Sequence, residues 1–470
     1  DNLRYVEAYD AICKCGEIIY SSENAEEVYS REFLAQYHDR HGKLCLLNGK
    51  SFEAAEHYEK AANLSQGDEQ LKYVSSELLS LHFLDIPSED LAQVHFQYQN
   101  LAANIQPFTT YHEKNSRIKI GYVSPNFNKN AIFSIALGII AAHDKTKFEV
   151  TCYSLNQSDD VYTKIYRERA EHFEDVQNLS YAELAEKIHS DNIDILVDLA
   201  GHSEGNALPT FAYKPAPIQV SGIGYMATTG MKAMDYFITD KVVDPVGEHE
   251  KYFSEKLLHL PCQFCYAYNT DLAESDGAPV KKNNFVTFGT ICEYSKISDE
   301  MLKIWKVIFD KLPDAKFIMR APEFVSVSTM DNAYDRMKKI GFNMDQILFQ
   351  PAVDNYLDAM RELDLVLDVY PYVGGSTTID ALYMGVPVIT LYGERRNTRF
   401  GLSILKSIGL ENFAVDSVEK YISLAVTLAK DTDALDTIHK NLRPKVTQSK
   451  DLNPVIYTRI LEQAFTSMIG

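Results

Sequence analysis

From Arg117 the chain settles into a repeating pattern of a short apolar run, a polar turn, and a longer stretch with apolar residues at helical spacing. RIKIGYVS, FEVTCYSL and IDILVDLA are the first three such runs, and residues 219–224 and 236–239 continue the series to about Cys265. Runs this short, apolar on both alternating faces, fit strands covered on both sides, the condition of a parallel sheet flanked by helices. A polar, strand-poor segment at 267–284 interrupts the pattern, and a second series follows: NFVTFGT, AKFIMRA, QILFQPA, LDLVLDV and VPVITLY. The pattern predicts an α/β protein with two Rossmann-like, doubly wound domains facing a cleft at the carboxyl ends of their strands.

The first hundred residues read as helices. Within them, HGKLCLLNGKSFEAAEHYEKAANL carries Gly42, Gly49, Ala54, Tyr58 and Ala61 at the spacings of a tetratricopeptide unit, whose small residues let two helices approach while the aromatic fills the gap. One clear copy cannot bury its own faces, so a small α-helical, TPR-like domain packed on its neighbour is expected, serving either recognition or as a structural cap. The expected domains are a helical one at 1–110, Rossmann-like ones at 111–270 and 271–450, and a last segment at 451–470 whose helix crosses back.

Composition narrows the chemistry. A formal net charge of -20 over 470 residues argues against nucleic acid and anionic membrane surfaces as partners, because neutralising phosphates needs a basic face. A phosphate-bearing ligand would have to be one small molecule in a locally positive pocket. The longest apolar run, 131–142, is too short for a bilayer, which takes about 20 residues, so no membrane span is expected. No secretory signal opens the sequence as given, although Asp1 points to a trimmed start. The seven cysteines, Cys13, Cys15, Cys45, Cys152, Cys262, Cys265 and Cys292, are odd in number and scattered, as expected of reduced thiols in a cytoplasm. Cys262 and Cys265 form a C-x-x-C, but no second pair stands at a zinc-site distance.

The densest candidate for chemistry is DVYPYVGGSTTIDALYMGVPVIT, residues 368–390. An apolar strand runs into Gly374 and Gly375, a helix opens at the threonines, and a second buried strand follows. Glycines let the backbone approach an anion, the unpaired N–H groups of the helix start face it, and the Thr377 and Thr378 hydroxyls add donors. Asp380 is placed to accept from a sugar hydroxyl. An ordinary strand-to-helix turn would show the same pattern. Neither half contains G-x-G-x-x-G or a P-loop lysine, which disfavours a dinucleotide oxidoreductase or a nucleotide hydrolase.

With IKIGYVSPNF at 118–127, DILVDLAGHSEGN at 194–206, KPAPIQVSGIGYMATTGMKAMDYFITD at 214–240 and FGTICEYSKIS at 288–298, these blocks resemble the catalytic region of the protein O-linked N-acetylglucosamine transferase family. That family includes the SPINDLY-type enzymes and, more distantly, bacterial cytoplasmic N-glucosyltransferases; the short helical part is similar to a bacterial-type member. The resemblance implies a GT-B fold, with the acceptor on the first Rossmann-like domain and the nucleotide-sugar on the second. It implies transfer of N-acetylglucosamine or another hexose from a UDP-sugar to Ser or Thr of a protein or peptide. Lys296 matches the catalytic lysine beside the leaving diphosphate; without the resemblance it would read as a solvated surface lysine. Gly375, Ser376, Thr377 and Thr378 match the phosphate site, Asp380 the ribose-binding acid, Tyr356 the base-stacking position, and Pro351 another part of the donor pocket. His202 is a candidate base or an ordinary hydrogen-bonded histidine, with Asp198 as its orienting group. Asn130, Tyr225 and Thr229 are the acceptor-side candidates. Lysine, hydroxyls and helix ends manage the diphosphate charge in such enzymes, so no metal and no cofactor beyond the nucleotide-sugar is expected; the D-x-D at 431–433 lies well past the cradle.

Three positions depart from the family pattern. Asn130 stands where a histidine commonly approaches the acceptor, and a neutral amide cannot be a base. Ser376 replaces a histidine of the animal members, and Tyr356 replaces a histidine that stacks on uracil while keeping an aromatic face. These leave open an N-glycosyltransferase, a fucosyltransferase using a GDP-sugar, or a non-catalytic scaffold of the same fold.

Overall fold

A computed structural model describes residues 4–21, 25–113 and 115–470. In the first sheet, β1 (Ile118–Ser124), β2 (Phe148–Ser154), β3 (His172–Asp175), β4 (Ile195–Asp198), β5 (Ile218–Ser221), β6 (Tyr236–Asp240) and β7 (Lys256–Leu260) run parallel in the order β3-β2-β1-β4-β5-β6-β7. In the second, β8 (Thr287–Ile291), β9 (Lys316–Ala321), β10 (Ile347–Pro351), β11 (Leu365–Leu367), β12 (Val388–Leu391) and β13 (Ala414–Val415) run parallel in the order β10-β9-β8-β11-β12-β13. Each sheet starts at its middle, winds to one edge, then returns and winds to the other. The direction reverses between β1 and β4 and between β8 and β11, and the loops that diverge there open a crevice at the carboxyl ends of the strands.

All ten apolar runs of the sequence are strands. The three that the pattern did not announce, β3, β7 and β13, lie at sheet edges. An edge strand is covered less, so HFED and KLLHL carry polar residues where a central strand would be apolar.

One five-residue signature recurs in both sheets at the strand beside the reversal: Asp194-Ile-Leu-Val-Asp198 around β4 and Asp364-Leu-Val-Leu-Asp368 around β11. The leading aspartate accepts the amide of the neighbouring central strand, from Lys119 to Asp194 at 2.8 Å and from Thr287 to Asp364 at 2.8 Å. The trailing aspartate closes its own loop and reaches a hydroxyl of the next strand, Ser221 at 2.6 Å for Asp198 and Thr390 at 2.8 Å for Asp368. Where the winding reverses, strand-end amides lack ladder partners, and a carboxylate satisfies several of them at once.

The described chain folds as two compact units. One takes the residues up to Gln66, with Ser80–Asp85 and Thr270–Gln448; the other takes Gly67–Leu79, Ile86–Asn269 and Ser449–Gly470. The helical segment is therefore shared instead of forming a unit of its own over 1–110. Helices Tyr5–Ile19, Arg31–Leu47 and Ser51–Leu64 belong with the second sheet, and Ser88–Leu101 with the first. A single helix pair leaves apolar faces uncovered, and these helices bury theirs on the α/β units. Within the pair, a Cβ on Gly42 would lie 3.1 Å from the Tyr58 ring, the close approach that the small-residue spacing predicts.

The last helix, Pro454–Ile469, belongs to the unit of the first sheet. Its Glu462 is buried and accepts from the Asp144 amide at 2.7 Å and from His143 Nδ1 at 3.1 Å, while Arg459 donates to its other oxygen at 2.7 Å. The Tyr122 hydroxyl meets His143 Nε2 at 2.7 Å, so the network reaches into β1. Glu462→Ala strands a buried imidazole N–H and a backbone amide, and is expected to cost about 1–3 kcal/mol in chemical denaturation followed by far-UV circular dichroism.

Candidate active site

At the reversal of the second sheet, the loop after β11 is built around Asp368. Its buried carboxylate accepts the amides of Gly374 at 2.8 Å and Val369 at 3.0 Å, besides Thr390. Gly374 turns the chain so tightly that a Cβ there would meet the Thr378 hydroxyl at 2.7 Å and the Thr377 hydroxyl at 2.9 Å. Helix Ser376–Tyr383 starts directly after, capped by Gly375, which has no side chain to satisfy the first turn. Thr378 donates its hydroxyl back to the Gly374 carbonyl at 3.0 Å. The amides of Gly375, Ser376 and Thr377 and the Thr377 hydroxyl make no hydrogen bond. A row of unpaired donors at the positive end of a helix is an anion site.

Lys296 ends the turn Tyr294–Lys296 that follows β8, the other strand at the reversal. Its side chain is 19% exposed, with Nζ 3.6 Å from Glu293 and 4.3 Å from the centre of the Tyr372 ring. Burial works against its charge, but the Glu293 carboxylate, with Tyr372 and Cys292, outweighs this and holds the ammonium above the ordinary lysine range. Burial raises Tyr372 and pushes the Cys292 thiol up to about 12, so both are neutral near pH 7 and Glu293 is the charge that counts. Lys296 is thus a fixed cation, suited to stabilising an anion and unsuited to taking a proton. Its turn is pinned from several sides. Buried Glu323 accepts the Tyr294 amide at 3.2 Å, Arg336 donates to the Ile297 carbonyl at 2.9 Å, and Ser51 of the helical pair donates to the Ser295 carbonyl at 3.1 Å.

Two of the donor candidates meet directly: the Tyr356 hydroxyl donates to the Asp380 carboxylate at 2.8 Å. Asp380 is buried on the helix that begins at Ser376, and Tyr356 opens the short helix Tyr356–Met360. Pro351 is exposed at the end of β10, an outer strand. Sequence reasoning did not single out Tyr372 and Glu293. Tyr372 sits within the quoted DVYPYVGG, and Glu293 precedes Lys296 by three residues, the spacing at which turn neighbours pair.

At the reversal of the first sheet the picture differs. His202 is buried with both ring nitrogens engaged, Nδ1 by the Ser75 hydroxyl at 2.9 Å and Nε2 by the Thr229 carbonyl at 3.0 Å. Burial, helped by His95, drives its pKa well below the ordinary value, so it stays neutral. This geometry is that of a hydrogen-bonded structural histidine. Asp198 does not orient it: its carboxylate serves Ala200 and Gly201 amides at 3.0 and 2.8 Å and the Ser221 hydroxyl, a set complete without an imidazole. Thr229 and Tyr225 are interior as well. The Thr229 hydroxyl donates to buried Glu255 at 2.5 Å, and the Tyr225 hydroxyl meets His95 Nε2 at 2.9 Å. Gly230 closes this loop at φ +69, where a Cβ would sit 1.9 Å from the His95 carbonyl oxygen. Only Asn130 of this group is exposed. Its side-chain oxygen accepts the Ile132 amide at 3.1 Å, just before helix Phe133–Ala142, which accounts for an amide side chain at that position.

Burial raises both aspartates of the β11 signature to about 6, against amide and hydroxyl donors that favour the charged form; Lys296 also lowers Asp368. The folded chain then holds two protons that an unfolded aspartate releases near pH 3.9. Unfolding releases protons in this window, so both groups reduce stability as pH rises from about 4 to about 6. Carboxyl-carbon NMR is expected to place both midpoints near 6, and that of Asp368 higher still in Lys296→Met.

Comparison with known proteins agrees with this geometry. The family model described as glycosyl transferase family 41 matches residues 91–272 and 280–461. The probable UDP-N-acetylglucosamine–peptide N-acetylglucosaminyltransferase SPINDLY of Solanum lycopersicum is 30% identical over 405 residues, covering 83% of this chain and 43% of the relative. That of Arabidopsis thaliana is 32% identical over 359 residues, covering 75% and 39%. The chain thus spans less than half the length of these curated relatives. Among solved structures, a mutant of the Thermobaculum terrenum O-GlcNAc transferase superposes with a TM-score of 0.86 at 28% identity, covering 95% of this chain and 86% of that one. With two parallel Rossmann-like sheets and a family match over most of its length, the chain belongs to glycosyl transferase family 41.

Proposed function

We propose that this chain transfers N-acetylglucosamine or another hexose from a UDP-sugar to a Ser or Thr hydroxyl of a protein, without a metal at the transfer site, in a cytoplasm. The observation that carries the reading is the convergence at one sheet reversal of a fixed cation, Lys296, unpaired amides at Gly375–Thr377, and the Asp380–Tyr356 pair. In the reaction, the acceptor oxygen bonds to the anomeric carbon as the bond from that carbon to the diphosphate breaks. The electron pair goes to the diphosphate, so negative charge grows on the phosphate oxygens, and the acceptor hydroxyl's proton passes to the departing diphosphate or through water to solvent. Lys296 and the helix-start donors are suited to meet that charge without rearranging. Asp380 suits a ribose hydroxyl, and Tyr356 offers an aromatic face for a base. Seven free cysteines accord with a reducing compartment. No helix among the described residues is long and apolar enough to cross a membrane.

Calorimetry with UDP and GDP, with and without magnesium, tests the donor. UDP binding that ignores magnesium is the expected result; tight GDP binding with none for UDP redirects the reading to a GDP-sugar, and binding of neither overturns it. Lys296→Ala is expected to lower the transfer rate by roughly 100–1000-fold while changing UDP affinity far less, as for loss of a group that acts on transition-state charge. Asp380→Ala should do the reverse, weakening UDP binding about 10–100-fold, the worth of hydrogen bonds to a charged group. Equal effects of each substitution on both quantities would refute these roles.

A further inference from the structure

Away from the donor loops, the helical pair gathers an unusual set of soft ligands. Helix Arg31–Leu47 carries His38, His41 and Cys45 at spacings of three and four, which lines them along one face. Helix Ser51–Leu64 adds His57, and helix Tyr5–Ile19 adds Cys13. One ligand atom each of His41, Cys45 and His57 lie within 4.8 Å of one another. The His41 and His57 rings stack with centroids 3.8 Å apart, and His38 Nδ1 approaches His57 Nδ1 to 2.8 Å. Cys13 Sγ lies 3.6 Å from His41 Nε2. That separation is what a tetrahedral zinc imposes between its ligands, since a Zn–N bond of about 2.05 Å and a Zn–S bond of about 2.3 Å span roughly 3.6 Å.

The surroundings favour metal over simple packing. Tyr37 holds His41 Nδ1 at 3.0 Å, which fixes the ring and turns Nε2 toward Cys13, the outer-shell contact typical of a metal-bound imidazole. A cavity of about 620 Å³ lined by Cys13, His38, His41 and His57 gives an entry path and room for the side chains to close in.

We propose that His41, Cys45 and His57, with one ring turning and Cys13 drawn in as the fourth ligand on binding, hold a zinc-class transition-metal ion that ties the first helix to the helical pair. A divalent ion displaces the two thiol protons and leaves a neutral Cys₂His₂ centre, so two protons are released per ion bound. With all four positions filled by the protein, the centre is structural. It shares no residue with the donor site, so magnesium-independent UDP binding and zinc binding here are separate questions, and either can fail alone. The ligands come from three helices, which is why the sequence spacing did not announce them.

The test uses the full chain, reduced, chelator-stripped and without an affinity tag. Cobalt(II) is expected to saturate at one equivalent with tetrahedral visible bands and a thiolate-to-cobalt charge-transfer band, to be bleached by zinc, and zinc should raise the thermal midpoint. Cys45→Ser and His57→Ala, checked for folding by circular dichroism, should each weaken binding at least ~10–100-fold and abolish the zinc-dependent rise. Cys15→Ser, at an exposed cysteine on the same first helix, should leave both intact. Absence of a charge-transfer band in the unmodified chain at one equivalent, or its persistence in Cys45→Ser and His57→Ala, overturns the proposal and leaves a packed histidine cluster.

Discussion

The carboxylate of Asp368 is the constraint on which the architecture at the reversal of the second sheet depends. It sits at the end of β11, out of water, and holds the turn of its own loop, the hydroxyl of the adjacent strand and, through its carbonyl, the Tyr421 hydroxyl at 2.9 Å. A loop that leaves several amides unpaired needs its remaining amides fixed firmly. Asp368 does this by drawing the Gly374 amide inward, so that the amides of Gly375, Ser376 and Thr377 are left over. The cost is a desolvated charge, visible as the raised pKa, and Lys296 offsets part of it.

Lys296 therefore has two electrostatic partners before any ligand arrives. Glu293 keeps it charged, and its field favours the ionised form of Asp368. A phosphate brought to the helix start would add negative charge beside a cation already in place, with no proton to acquire first. Preorganisation of this kind is most effective where the cation cannot wander, and the supports of the Tyr294–Lys296 turn supply that rigidity. One of them, Ser51, comes from the helical pair, so the N-terminal helices brace the Tyr294–Lys296 turn directly.

The equivalent aspartate of the first sheet shows the same device used for architecture alone. Asp198, like Asp368, closes its loop and reaches the next strand, but the loop after it is filled by protein groups: Ser75, Thr229 and the rings of Tyr98 and Tyr225 surround His202. A buried histidine with both nitrogens engaged, beside a threonine whose hydroxyl is also paired, is rigid and unreactive. This half of the molecule spends its histidine and threonine on positioning the GIGYMATTG loop, with Gly230 allowing that loop to touch the helix carrying His95.

The parallel, doubly wound character of both sheets was legible in the sequence because central strands are covered on both faces and must be continuously apolar. So was the place where the helix starts, because Gly374 and Gly375 permit the turn and the threonines follow it. Three of the four edge strands, β3, β7 and β13, escaped notice since half-covered strands carry no such run. The roles of individual polar residues depended on tertiary structure. Nothing in LAGHSEGN reveals that Ser75, 127 positions earlier, occupies His202, nor that Asp198 is fully used by its own turn. Likewise, Lys296 in isolation reads as a surface lysine, and only the arrangement of Glu293, Tyr372 and Asp368 around it makes it a fixed, half-buried cation. Hydrophobic period is a local property and survives in one dimension; hydrogen-bond satisfaction and electrostatic environment are set by neighbours that only folding brings together.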